Sequence, residues 1–269
     1  SGGSNEPTLL KRSNDIPYNG YYGSLVCRVK NPERDEWLPL DLINQYAPLG
    51  ATYLDGQPGY SLDGKPFTWV APSDRENIDE DHFAIDFDAE GTATITMTRR
   101  FHGANHAGFV ASYSEMTPEE RKRDFQSLVS SISQNAVPEG ELVTDMTYPG
   151  TLSFSVKVAR YGVKNNKGLY FDLPAVPQAL VSATSSHRQR PLLIAGESKS
   201  TTTWSVSAPG GLKPVIQPEE LDWTGPGNFG TIQFHSDFAQ KDGKTALTYT
   251  LNLDTKPVIV PKGNYQDLL

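Results

Sequence analysis

The sequence predicts a mainly β fold, with a large antiparallel β-sandwich as its main unit. Three observations lead to this prediction. Apolar and polar residues alternate with a period of two in several segments, clusters of turn-forming residues separate these segments, and only one segment has the apolar spacing of a helix. The alternation is clearest over 82–88, 92–101 and 151–161. It is typical of a sheet with one packed face and one face in water.

Local signals predict the single helix, from about residue 118 to 133. Thr117 is a suitable N-cap, Pro118 takes the first helical position, and Glu120 lies three residues after the cap, which completes a capping box. Apolar residues then recur with the spacing of one helix face: Phe125, Leu128, Val129 and Ile132.

We expect the strands to pair mainly with their sequence neighbours. Residues 82–88 and 92–101 should form a hairpin, 109–113 should continue as a strand after a bulge at 103–108, and 151–161 should pair with 169–173. Further strands are expected in four later segments: 191–194, 200–208, 231–238 and 245–253.

A polar, turn-rich connection divides the chain into two predicted parts, 1–74 and 75–269. The first part contains a short hairpin from two segments, 24–29 and 36–41, and Pro39 suits an edge position in its second strand. The second part is the predicted sandwich.

Composition argues against two classes of partner. The 269 residues carry 32 acidic and 24 basic side chains, a net charge of -8, and basic residues occur only in short clusters. Nucleic-acid binding needs clustered Lys and Arg, so no nucleic-acid partner is expected. No apolar run approaches the roughly 20 residues that cross a bilayer, so no membrane span is expected.

Cysteine and histidine chemistry has little support in the sequence. Cys27, the one cysteine, lies in an apolar alternating segment, so we expect a buried structural thiol and not a nucleophile. His102 and His106 are the only pair with metal-like spacing, but the glycines at 103 and 108 should break a helix there. They are the only metal candidates, and no metal or other cofactor is expected.

Two alternative functions stay open. Asp86, Asp88 and Glu90 could line a sheet face as the carboxylates of a hydrolase, or simply solubilise a turn. Four aromatic residues could form a stacking platform for a peptide or glycan ligand, although each also suits core or edge packing: Trp204, Trp223, Tyr249 and Tyr148.

The stretch from Tyr22 to Tyr60 contains YGSLV at 22–26, LDLI at 40–43, PLG at 48–50 and GQ at 56–57. It resembles the end of a transglutaminase-like, papain-type core. In that family one strand supplies the catalytic histidine and the next supplies the aspartate that orients it. The resemblance puts Asp41 in the place of the orienting carboxylate and Ser24 in the place of the histidine. Serine has no titratable nitrogen near neutral pH and cannot act as the general base.

The rest of the chain is similar to the β-sandwich of unknown function that follows such cores in bacterial multidomain proteins. Four features carry this resemblance: RRF at 99–101, the helix after it, RPL at 190–192 and VPKGNY at 260–265. It implies the C-terminal part of a transglutaminase-like protein, with a hairpin remnant of the core before the sandwich.

The function implied is that of a non-catalytic scaffold or binding module, with an upstream domain of the same protein as a partner. No activity is expected in this chain, although the residues do not decide the point. Proteins of this kind carry secretion signals, which implies a periplasmic or cell-surface location. The alternatives are a carbohydrate- or peptide-binding β-sandwich at the cell envelope and a hydrolase that uses sheet-face carboxylates.

Overall fold

The structure is a computed structural model. It describes residues 27–31, 36–40, 44–54, 58–165, 168–176, 192–194, 198–210, 219–225, 230–241, 243–256 and 258–260. Seventeen strands and two α-helices make up the regular structure of these residues, so the predicted mainly β class is confirmed. Neither helix in the described part of the chain is long and apolar enough to cross a membrane.

Two small ribbons precede the main sheet. Strands β1 (Cys27–Lys30) and β2 (Trp37–Leu40) pair antiparallel, which confirms the predicted hairpin. Strands β3 (Pro58–Tyr60) and β4 (Pro66–Thr68) form the second ribbon. The Arg28 guanidinium lies over two aromatic rings, 5.6 Å from the centre of Trp37 and 4.2 Å from that of Phe67, and so connects the two ribbons.

One nine-stranded sheet forms the body of the molecule. Its strands are β5 (Ile78–Phe87), β6 (Ala93–Phe101), β7 (Ala136–Pro138), β8 (Val143–Asp145), β9 (Gly150–Val158), β13 (Ser198–Pro209), β14 (Leu221–Thr224), β15 (Gly230–Lys241) and β16 (Lys244–Thr255). The order is β14-β15-β16-β13-β5-β6-β9-β7, and β8 also pairs with β9. β5 and β13 are parallel, so the sheet is mixed and the all-antiparallel arrangement expected from the sequence is corrected.

The hairpin of 82–88 with 92–101 is confirmed by the β5–β6 pairing. The expected pairing of 151–161 with 169–173 is wrong, because β9 pairs with β6, β7 and β8. Residues 169–170 instead form β11 (Leu169–Tyr170), which pairs with β10 (Val163–Lys164). A last ribbon joins β12 (Leu192–Ile194) to β17 (Val258–Val260).

The structure has two helices where the sequence predicts one. Helix α2 (Pro118–Ile132) is the predicted helix, and both hydrogen bonds of its capping box, between Thr117 and Glu120, are present. Helix α1 (Gly103–Glu115) occupies the segment expected to be a bulge and a strand, so that prediction is wrong. The side chain of His102, the N-cap of α1, makes no capping hydrogen bond, so the local sequence lacks the usual start signal.

The core lies against one face of the sheet. Every second residue of the central strands points to this face, and Ala93, Ile95 and Val156 have no exposed surface. Phe109 and Tyr113 of α1 and Val129 of α2 belong to the same buried cluster. In the described residues this face is therefore covered by two helices and by residues 161–165 and 168–173, and not by a second large sheet as a sandwich would require.

Trp204 holds the 168–176 segment to the sheet. Its side chain is completely buried on β13 and stacks on Phe83, with ring centres 6.3 Å apart. Its Nε1–H donates to the carbonyl oxygen of Pro174 at 2.8 Å. A buried indole N–H needs such an acceptor, so the tryptophan contributes both packing and a hydrogen bond to this loop.

We predict that Trp204→Ala lowers the free energy of unfolding by about 3–5 kcal/mol, because it removes a fully buried aromatic side chain. Trp204→Phe should cost about 1–3 kcal/mol, because it retains a ring but leaves the Pro174 carbonyl without its donor. Urea denaturation measures both. Trp37→Ala is the control, since that ring is 57% exposed and its loss should cost only about 1 kcal/mol or less. An equal decrease in the free energy of unfolding for Trp204→Ala and Trp37→Ala would contradict the role of Trp204 in the core.

Candidate functional site

The two residues that the resemblance assigns to a catalytic apparatus, Ser24 and Asp41, lie outside the described residues. Their roles therefore stay predictions. Cys27, which is described, is exposed, so the expectation of a buried thiol is wrong. It lies on a ribbon of two four-residue strands, and so short a ribbon does not bury the strand that carries the thiol.

His102 and His106 lie at the start of helix α1, where no helix was expected. The Nε2 atom of His102 is 3.4 Å from the Glu80 carboxylate, whereas the Nε2 atom of His106 is 2.9 Å from the Met146 carbonyl oxygen. A carbonyl oxygen only accepts, so His106 carries its proton on Nε2. The two histidines thus have different partners, and the described residues contain no group of three His, Cys, Asp or Glu side chains that could hold a metal ion.

Two of the three candidate hydrolase carboxylates, Asp86 and Asp88, make local contacts. Asp86 is on β5 and forms an ion pair with Lys244, at 3.0 Å. Asp88 accepts the backbone N–H groups of Glu90 and Thr92, at 2.9 and 2.8 Å, and so closes the β5–β6 turn. This arrangement is that of a turn and a surface ion pair.

The four candidate aromatic residues do not form one exposed platform. Trp204 and Tyr249 are buried in the core, and Trp223 on β14 is half-buried and pairs with Ile232 of β15. Tyr148 is half-buried between other side chains. A stacking surface built from these four residues is therefore not present.

Tyr148 is the centre of a cluster that the sequence analysis missed. The Arg75 guanidinium lies 4.3 Å from the centre of its ring, and the rings of His106 and His102 meet it edge-on, at 5.1 and 6.4 Å. Its hydroxyl donates to the Asp74 carbonyl at 2.7 Å and accepts the Gly103 N–H at 3.2 Å. We call Arg75, His102, His106 and Tyr148 the Tyr148 cluster.

Asn77 joins helix α1 to the segment that precedes the sheet. Its Oδ1 accepts the Ala104 N–H at 2.7 Å, and its Nδ2 donates to the Thr52 carbonyl at 2.8 Å. The Tyr53 hydroxyl donates to the Ala104 carbonyl at 2.7 Å. The first turn of α1 is thus capped from a distance by Asn77 and Tyr148, which supply the acceptors that the N-cap residue lacks.

Gly103 allows this close approach. Its φ is +58°, and a Cβ built there would lie 2.5–2.7 Å from Asn77 Oδ1 and from the backbone oxygens of Arg75 and Glu76. Glycine is therefore required both by the backbone conformation and by the space. The glycine that the sequence analysis interpreted as a helix breaker is the residue that lets the helix start.

A charged pair lies on the core side of the sheet beside α1. Arg99 donates from Nε and Nη2 to the two carboxylate oxygens of Asp81, each at 2.6 Å. These hydrogen bonds raise the pKa of the guanidinium further above its usual value. Burial raises the pKa of the neighbouring Asp79 carboxyl, while Arg99 and a hydrogen bond from Asn105 oppose that rise. Asp81 is thus held in an ion pair with Arg99, whereas burial dominates at Asp79, two residues earlier on the same strand.

The opposite face of the sheet carries a regular array of hydroxyl groups. Two rows cross β16, β13, β5, β6 and β9 in register. Eight of the ten positions are Ser or Thr, and all eight are half-buried: Thr248, Ser205, Thr96 and Ser155 in one row, and Thr250, Thr203, Thr98 and Ser153 in the other. We call these eight residues the hydroxyl face. The sequence shows this face as Ser and Thr residues at alternate positions of 92–101, 151–155 and 201–207.

Comparisons of the chain with protein-family models, with curated protein sequences and with solved structures found no match. The geometry that bears on its function is that of the Tyr148 cluster, of the two hydrogen bonds made by the Asn77 side chain, and of the hydroxyl face.

Proposed function

We propose that this chain is a non-catalytic scaffold or binding module of a transglutaminase-like multidomain protein, located in the periplasm or at the cell surface. The observation that supports a scaffold best is the junction around Asn77 and Tyr148. It ties the segment before residue 75 to helix α1 and, through α1, to the packed face of the sheet.

The side chains of Tyr148 and Asn77 are bonded to backbone groups, whereas His102 Nε2 and His106 Nδ1 are buried without a hydrogen-bond partner in the described part of the chain. The Tyr148 hydroxyl both donates and accepts, and both ends of the Asn77 amide are used. A catalytic site needs groups that are free to bind a substrate and exchange a proton with it. Groups bonded in this way fix the position of neighbouring segments instead.

Exposed apolar side chains on and near the N-terminal ribbons support an upstream domain as the partner. Val29, Trp37 and Val70 are 42%, 57% and 67% exposed. Interfaces are enriched in aromatic residues at their centres, so the exposed Trp37 suits contact with another folded domain of the same protein. The scaffold would then hold that domain in a fixed place relative to the sheet.

The first prediction of this proposal is that the chain has no thiol-dependent amide chemistry. Because Cys27 is exposed, a thiol-directed probe should label it at similar rates in the folded protein and in urea, as expected for an ordinary thiol. No ammonia should be released from a glutamine-containing peptide. Turnover that Cys27→Ala abolishes would contradict the proposal, and Cys27→Ser with unchanged folding serves as the control.

The second prediction concerns the junction. Asn77→Ala should speed amide hydrogen exchange in the first turn of α1 and around Thr52, because both hydrogen bonds of the side chain are lost; the loss of a helix cap costs about 1–2 kcal/mol. Asn77→Asp keeps an acceptor for the Ala104 N–H but loses the donor, so only exchange around Thr52 should speed up.

The control for this experiment is Asn252→Ala, which removes the acceptor of the Thr201 hydroxyl on the other face of the sheet. It should leave exchange in α1 unchanged. If Asn77→Ala exchanges like the wild type in both segments, Asn77 does not hold the junction together and the scaffold proposal loses its support.

The third prediction assigns Asp79 a structural role. Its folded pKa is raised above the ordinary value of 3.8, so this carboxyl favours folding below that pH, and the contribution is lost as pH rises through the folded pKa. The neutral Asp79→Asn should therefore gain stability relative to the wild type between pH 4 and pH 7, measured by urea denaturation. Asp237→Asn, at an exposed position on β15, should show no such trend. A relative loss of stability for Asp79→Asn as pH rises would contradict this role.

A further inference from the structure

Arg28 carries a positive charge whose described contacts are with aromatic rings. Its guanidinium carbon lies 4.2 Å from the centre of the Phe67 ring and 5.6 Å from that of the Trp37 ring. Phe67 is itself held by the buried Trp69, which meets it edge-on with ring centres 4.9 Å apart. Aromatic faces attract a cation, so these rings hold the guanidinium in one place on the ribbons.

The acidic side chains of the ribbons have other partners. The described ribbon residues contain two of them, Glu36 and Asp63. Glu36 accepts a hydrogen bond from the Asn31 side chain at 3.0 Å, and Asp63 forms an ion pair with Lys65 at 2.8 Å. Among the described residues, Arg28 therefore has no carboxylate within ion-pair distance. Its N–H donors are left to water or to a ligand, because a ring face attracts the charge but supplies no oxygen acceptor.

The surface around Arg28 has the composition of an interface centre. Trp37 is 57% exposed and lies beside the half-buried Arg28. Tryptophan and arginine are enriched among the residues that dominate binding energy at protein interfaces. A carboxylate accepts two parallel N–H bonds from one guanidinium, which makes this pair both strong and specific in geometry. An arginine that aromatic rings already hold loses little freedom when such a pair forms.

Other classes of partner fit this surface less well. Nucleic acid and anionic lipid bind clusters of basic groups, whereas the described ribbons carry three basic residues, and one of them, Lys65, is paired with Asp63. The net charge of -8 also opposes contact with a polyanion. A purely apolar partner would leave the guanidinium without an acceptor once water is excluded. A protein surface with a carboxylate next to an apolar side chain meets both requirements.

We infer that Arg28 and Trp37 form a docking site for an acidic protein surface, in which Arg28 binds an aspartate or glutamate side chain and Trp37 contacts an apolar one. The inference rests on the proposed function for its partner, the upstream domain, and adds the chemistry by which that domain is recognised. Docking removes water from the edge of the guanidinium, where hydrogen bonds to a carboxylate are then stronger than in water. Arg28 thus sets the orientation of the partner, while Trp37 contributes buried apolar area.

The test uses the whole chain and an acetylated, amidated hexapeptide of alternating glutamate and leucine, which stands in for the partner surface. Isothermal titration calorimetry should give a millimolar Kd for this peptide and no binding for the same peptide with glutamine in place of glutamate. Bound peptide should shift the NMR signal of the Arg28 Nε–H group, which Arg28→Lys identifies by its absence. Arg28→Lys and Trp37→Ala should each weaken binding about tenfold, because the first loses the paired hydrogen bonds and the second the apolar contact. Arg123→Gln, which removes an exposed arginine of α2, is the control and should bind like the wild type.

Three results would overturn the inference. These are a wild type that does not bind the glutamate peptide, a glutamine peptide that binds equally well, and an Arg123→Gln variant that loses as much binding as Arg28→Lys. Phosphatidylglycerol vesicles that bind the wild type when the peptide does not would also overturn it, in favour of a phosphate ligand. If Arg28→Lys does not keep the wild-type circular dichroism spectrum, Trp37→Ala decides, and unchanged binding by that variant would refute the docking site.

These results can be told apart from a failure of the scaffold proposal. Absence of peptide binding, together with the hydrogen exchange expected for Asn77→Ala, refutes the docking site and leaves the scaffold intact. Ammonia release that depends on Cys27 refutes the scaffold, whatever the peptide does.

Discussion

The structure depends on the burial of one apolar face of the nine-stranded sheet. A sheet cannot cover its own face, so another layer has to be brought onto it. Helices α1 and α2 cover the part formed by β5, β6 and β9, and Tyr161 and Phe171 cover the end near Phe87. The Trp204 indole N–H donates a hydrogen bond to the Pro174 carbonyl oxygen and so holds the adjoining chain against the sheet. The helices and loops are thus placed by the need to cover this face.

The same register that buries the apolar residues aligns the hydroxyls. Successive side chains of a strand point to opposite faces, so a slip of one residue would exchange the two faces completely. Solubility alone would be served by any mixture of polar residues, including charged ones. On β5, however, charged residues of the polar side lie only beyond the two rows, and the positions of the rows on five strands are occupied by Ser, Thr, Ala84 and His82.

The sequence predicts those parts of the fold whose signals are local. Helix α2 carries its own capping box, and the β5–β6 hairpin has a turn and an alternating pattern. Helix α1 could not be predicted in this way, because its caps, Asn77 and Tyr148, are distant in sequence and its glycines resemble breakers. The parallel pairing of β5 with β13 joins segments more than a hundred residues apart, and no local pattern encodes it. The Tyr148 cluster was missed for the same reason.

The junction shows why a polar cluster with two histidines and an arginine need not be an active site. The Tyr148 hydroxyl and both ends of the Asn77 amide are bonded to backbone groups, and so they fix the position of neighbouring segments. His102 Nε2 and His106 Nδ1 are buried without a hydrogen-bond partner among the described residues. Trp37 and Val70, which precede the sheet in the chain, are exposed and apolar. Contact of these side chains with a partner would be driven by burial of apolar surface, and the hydrogen bonds of the junction hold the segment before the sheet to helix α1.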